Sequence, residues 1–174
     1  MMCSALPKLL HGAFAAPFCI SQVEHYDLRY YLLARCGYAS SVSLVMTPNP
    51  LTLVKIAETA QQRHQELIRS IHNCWLSETV RTAVDYGKLQ LPAALAFLCK
   101  PDPARARFLA SVLERTGKLS ASDCWPALAL IGCWLGGSIG YQAGLLNEAY
   151  GAVPRRDLGY LASEGSFTLP LEDG

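Results

Sequence analysis

Leu128-Ala129-Leu130-Ile131-Gly132-Cys133-Trp134, then Gly136-Gly137-Ser138, then Arg156-Asp157-Leu158-Gly159-Tyr160: these three segments decide the fold of the chain. The first is apolar at odd and even positions alike. A strand there must be covered on both faces, as in parallel sheets flanked by helices. The glycines mark a turn, Tyr141 to Tyr150 reads as a helix stopped near Gly151, and Arg156 to Tyr160 reads as a second strand. Ser166 to Leu171 reads as a third. Strand, turn, helix and strand in that order predict a right-handed βαβ unit, with ligands beyond the carboxyl ends of its strands. Gly136-Gly137-Ser138 and Ser163-Glu164 both fall at such ends.

Toward the N-terminus the periodicity becomes helical. Asp27 to Cys36 carries Leu28, Tyr31, Leu32 and Arg35 at three- and four-residue steps, and Gly37 stands where a C-terminal cap is expected. Ser41 to Met46 reads as a short strand. After it, Asn49 is placed to cap a helix that has Pro50 at its first position. Leu53, Ala57, Ala60, His64, Leu67 and Ile71 form one apolar stripe along that helix, which makes His64 a packed residue rather than a catalytic one. Leu91 to Leu98 reads as helical and ends before Pro101. Asp102-Pro103 opens a further helix with the stripe Ala106, Leu109, Ala110 and Leu113, stopped by Gly117. Arg105, Arg107 and Arg115 read as its solvated face, and Ser122 as the cap of the next short turn. The fold expected is α/β, with mostly parallel strands, flanking helices and an inserted helical segment between two strands.

Composition narrows the function classes. The 174 residues suit one domain, with residues 1–22 expected to be poorly anchored and 23–174 to form the packed unit. Apolar residues make up 51% and charged residues 17%, and the net charge of +1 favours neither nucleic acid nor an anionic membrane as partner. The most apolar run, Trp125 to Gly137, falls well short of the roughly 20 residues of a membrane span. Seven cysteines, with no C-x-x-C pair, read as reduced buried thiols in a cytoplasmic protein, with no structural metal site. Ala13-Phe14-Ala15 has the look of a leader cleavage site, but Pro7, Lys8 and His11 interrupt the apolar core a leader needs.

Chemistry concentrates at one strand end. Tyr160-Leu161-Ala162-Ser163-Glu164-Gly165 sets an aromatic face, a hydroxyl and a carboxylate close together. A magnesium nucleotide needs those three things, and so does many a surface turn supply them. Gly136-Gly137-Ser138 is weaker still, being neither G-x-G-x-x-G nor a P-loop with its lysine.

These residues resemble a known family. The stretch Trp125 to Ser138, Tyr150-Gly151, and Arg156 to Gly165 are similar to the middle of the Gretchen Hagen auxin-responsive family, acyl-acid amido synthetases of the adenylate-forming superfamily. Tyr30 to Arg35, Thr47 to Leu53, and Glu66-Leu67-Ile68-Arg69 resemble its bacterial members, so the likeness runs from about Val23 to the C-terminus. It implies part of a large N-terminal adenylate-forming domain that uses ATP and magnesium. A carboxylic acid would be activated as its acyl-adenylate, with release of pyrophosphate, and the acyl group passed to an amino acid amine. The resemblance places Tyr160 against adenine, Ser163 on the α-phosphate, and Glu164 as the catalytic, magnesium-holding carboxylate. It sets Gly136, Gly137 and Ser138 along the acyl and nucleotide pocket.

Two departures qualify it. Ala162 stands where plant members have the first of two serines. The family's first nucleotide loop and its small C-terminal domain are expected outside this sequence, which makes the chain a central fragment, inactive alone. The alternative is a non-catalytic remnant that binds a nucleotide or a protein, with self-association through exposed sheet edges. A dinucleotide- or methyl-donor-binding module is disfavoured by the missing glycine fingerprint. Nothing singles out auxin as the acid.

Overall fold

The computed structural model describes residues 13–74, 100–136 and 144–159, and the backbone of 161–162 and 165–166. Its centre is a three-stranded parallel sheet in the order β1 (Leu44–Met46), β2 (Leu130–Cys133), β3 (Arg155–Asp157). Val45 pairs with Ile131, and Ile131 in turn with Arg155. The fold is α/β, as the doubly apolar run of β2 requires. Ile131 and Cys133 on one face are fully buried. On the other, a Cβ at Gly132 would lie 3.1 Å from Leu158 Cδ2 and 3.4 Å from Met46 Cγ, so both neighbours close over the strand. Among the described residues β1 is an outer strand, and its Leu44 and Met46 are exposed.

Helix α1 (Tyr26–Ala39) precedes the sheet. It runs through Gly37 and ends at Ser40, so Gly37 does not cap it. The reason is tertiary. Trp125 Nε1–H donates to Gly37 O at 3.0 Å, and the indole lies so close that a Cβ at Gly37 would stand 3.2 Å from Cζ2. Trp125 packs between Tyr38 and Tyr150, at ring-centroid distances of 5.1 and 5.9 Å. All three polar tips are satisfied, because Tyr38 Oη donates to Leu119 O and Tyr150 Oη to Leu53 O, each at 3.0 Å. Burial pushes both phenols above their ordinary pKa.

Asn49 caps α2 (Pro50–Gln62) by accepting from Leu51 N–H at 2.9 Å, with Pro50 in the first turn. The long helix expected here is two, because the chain breaks at Arg63 before α3 (His64–Asn73). The Arg63 guanidinium lies 3.9 Å from the Tyr31 ring centroid and grips Glu66 through two hydrogen bonds of 2.7 and 2.8 Å. Leu53, Ala57, Ala60, Leu67 and Ile71 are buried as their stripe predicts. His64 is half-buried, with Nδ1 at 2.7 Å from Gln61 O, a packed residue.

Helix α4 (Pro103–Thr116) packs on α3, capped by Asp102 at its start and by Gly117, in the left-handed region, at its end. Arg107 and Arg115 are exposed, but Arg105 is not a solvated residue. Its guanidinium donates to Tyr38 O (2.7 Å), Ser40 O (3.1 Å) and Cys124 O (2.7 Å), joining the end of α1 to α5 (Ala121–Cys124). Orphan carbonyls at two helix ends thereby gain a charged donor. The cap of α5 is Ser120, not Ser122, since Ser120 Oγ accepts from Asp123 N–H. Helix α6 (Leu146–Tyr150) joins β2 to β3 and stops at Gly151, φ 67°. Before α1, residues Phe18–Gln22 form a 3₁₀ turn, and Ile20 is buried with Val23, Leu28 and Tyr31. That part of the N-terminal segment is anchored by its one buried apolar side chain. The expected helix 91–98 lies outside the described residues.

Candidate site at the carboxyl ends of the strands

All three strands of the sheet run parallel, so their carboxyl ends share one rim. The rim is tied together by backbone bonds. Thr47 N–H donates to Gly132 O and Trp134 N–H to Pro48 O, each at 2.9 Å. Leu158 N–H reaches Cys133 O at 3.3 Å. Asp157, the last residue of β3, makes the tightest link. One carboxylate oxygen accepts from Leu135 N–H at 2.7 Å and the other from Gly159 N–H at 2.5 Å. Gly159 is buried with φ 73°, a conformation glycine adopts without strain.

Gly136 follows this link and is exposed, and a Cβ there would meet no described atom within 4 Å. Gly137, Ser138, Tyr160, Ser163 and Glu164 lie outside the described residues. What is described flanks them closely in the chain. Strand β4 (Leu161–Ala162) pairs antiparallel with β5 (Gly165–Ser166), with Ala162 opposite Gly165. The second strand expected over 156–160 is β3 at 155–157, and of the third, expected over 166–171, only Ser166 falls within a described strand. The sequence reading missed Asp157, although Asp157-Leu158-Gly159 carries the local signal of an Asx turn.

A cleft of about 860 Å³ runs along β1 as far as its last residue, Met46, and is lined among others by Phe14, Arg35 and Ser43. Gly136, the described one among the predicted site residues, does not line it. Chemistry locates the candidate site better than volume does, because ligands of parallel sheets gather at the carboxyl rim. Burial pushes the Cys124 thiol up to about 12 and raises that of Cys133, so neither is a ready nucleophile. Among the described residues no cluster of His, Cys, Asp and Glu could hold a metal, and no helix is long and apolar enough to cross a membrane.

Residues 2–154 match the GH3 family N-terminal domain. A solved structure of "GH3.15 acyl acid amido synthetase" superposes with a TM-score of 0.67 at 20% identity, covering 86% of this chain and 27% of its own. "AtGH3.15 acyl acid amido synthetase in complex with 2,4-DB" does so with a TM-score of 0.56 at 20% identity, covering 75% and 22%. The chain therefore spans about a quarter of the length of these two structures, and the likeness is one of fold. No curated protein matches. With residues 2–154 of its 174 matching the family's N-terminal domain, the chain belongs to the GH3 family.

Proposed function

We propose that this chain supplies the strand-end part of an adenylation site, in a protein that activates a carboxylic acid with ATP and passes the acyl group to an amino acid. One observation carries the reading: the rim joins the chain leaving β2 at Leu135 to the chain leaving β3 at Gly159, immediately before Gly136 and Tyr160. The glycine turn and the tyrosine-to-glutamate motif thus start from one fixed point.

The donor set fits a magnesium nucleotide. Tyr160 offers a stacking plane, which contributes roughly 1–3 kcal/mol per base. Ser163 offers a hydroxyl to the α-phosphate and Glu164 an anionic oxygen to the metal, while the space over Gly136 is open among the described residues. Bound magnesium neutralises phosphate charge so that a carboxylate can approach. Gly136, Gly137 and Ser138 border the pocket, where a small side chain leaves room for acid and phosphate. A cytoplasmic setting belongs to the same proposal and rests on the free buried Cys124 and Cys133.

The test is acid-dependent exchange of labelled pyrophosphate into ATP by the full-length protein, over a panel of carboxylic acids. Exchange with at least one acid, abolished by Glu164→Gln, is expected. Full exchange in that variant removes the metal role of Glu164. No exchange with any acid leaves the non-catalytic reading in its place.

A further inference from the structure

We infer that Asp157 is a positioning residue for this site, its carboxylate holding the chain that leaves β2 in register with the chain that leaves β3. The inference rests on the adenylation reading and adds to it a group that touches neither acid nor nucleotide. Both Asp157 oxygens are engaged, one by Leu135 N–H and one by Gly159 N–H. Hydrogen bonds to an ionised acceptor are about twice as strong as neutral ones. Leu135 is followed by Gly136 and Gly159 by Tyr160, so a single side chain sets where both segments begin.

Two further contacts stiffen the link. Leu158 N–H donates to Cys133 O at 3.3 Å, and the Leu158 side chain seats on Gly132, where no Cβ intervenes. Gly159, whose N–H donates to the Asp157 carboxylate, itself turns at φ 73°, so the chain changes direction directly after this bond. The two exits of the sheet are therefore clamped at backbone, side chain and carboxylate together. A group arranged in this way acts through geometry. Glu164, beyond the turn, is the carboxylate proposed for the metal.

Asp157→Ala removes both acceptors. Asp157→Asn keeps one carbonyl oxygen and turns an amide donor toward the other N–H. In the full-length protein, kcat/KM for ATP in pyrophosphate exchange should fall about 100-fold in Asp157→Ala, the scale of a 1 Å misplacement. Asp157→Asn should fall between it and the parent. The magnesium concentration for half-maximal exchange should stay where it is in both, but move in Glu164→Asp, which a merely structural lesion would not separate. If Asp157→Ala does not fold, judged by circular dichroism, Asp157→Asn carries the same comparison. A folded Asp157 variant with unchanged kcat/KM for ATP overturns the positioning role and leaves the adenylation reading intact. A shifted magnesium requirement overturns it as well, by making Asp157 a ligand. Absence of exchange in the parent with every acid tested overturns the adenylation reading, and the positioning role falls with it.

Discussion

Replacing Gly37 by alanine sets two local effects of similar size against each other, and the packing of Trp125 decides between them. Within a helix, Ala is favoured over Gly by about 1 kcal/mol. A Cβ at Gly37 would stand 3.2 Å from Trp125 Cζ2 and 3.7 Å from Cη2, the first closer than an ordinary contact. The indole must then retreat by a few tenths of an ångström. It has little room, being 4% exposed and held between the Tyr38 and Tyr150 rings. Retreat would also stretch the 3.0 Å bond from Nε1–H to Gly37 O. Overpacking of this kind costs about 1–3 kcal/mol, so Gly37→Ala should be destabilising by about 1 kcal/mol net. Urea unfolding followed by circular dichroism measures it, as a lower midpoint at unchanged slope. In a Trp125→Phe background the benzo ring carrying Cζ2 and Cη2 is gone. There the same substitution should become stabilising by about 1 kcal/mol, the bare helix preference. A Gly37→Ala protein more stable than the parent with Trp125 intact would refute the reasoning, as would equal effects in the two backgrounds.

Two other outcomes follow from the same packing. Arg105→Ala removes the donor from three carbonyls at the ends of α1 and α5, and with partial solvent access it should cost about 3 kcal/mol. Arg105→Lys, lacking the planar fork, should recover less than half of that in urea unfolding. Cys124 has its thiol raised from the ordinary 9.0 to about 12, chiefly by burial. The unfolded chain therefore releases this proton first, so stability is fully present below pH 9 and falls as pH rises from 9 toward 12. Cys124→Ala should flatten that decline in urea midpoints taken across the range. In the folded protein at pH 8, Cys124 should resist a thiol reagent that labels it at once in urea.

The parts of the fold legible in the sequence are those in which cause and effect lie close along the chain. Asn49 caps α2 through Leu51, two positions away, and Pro50 fits the first turn of any helix. Gly117 ends α4 in the left-handed region where a glycine belongs. The double-sided apolarity of β2 announces a covered central strand, because covering both faces leaves no alternation to see. Gly37 misleads for the opposite reason. Its neighbours spell a helix end, but the group that sets its role is an indole 88 positions later. Arg105 reads as solvated by helical period, while its acceptors come from the far ends of other elements, 65 and 67 positions upstream and 19 downstream.

The candidate site divides along the same line. Asp157-Leu158-Gly159 carried a short-range turn signal, and reading a strand through Tyr160 concealed it. The bond from Asp157 to Gly159 spans two positions and could be anticipated from those residue types alone. The bond from Asp157 to Leu135 spans 22, and no local rule points to it. Under the adenylation reading the long bond is the one that matters, since it relates the chain leaving β2 to the chain leaving β3. Tyr160, Ser163 and Glu164 are suitable by residue type, and suitability by type is common on protein surfaces. What turns a suitable set into a site is a common origin for its parts, and the origin we propose at this rim is the Asp157 carboxylate, which bridges the chain leaving β2 and the chain leaving β3.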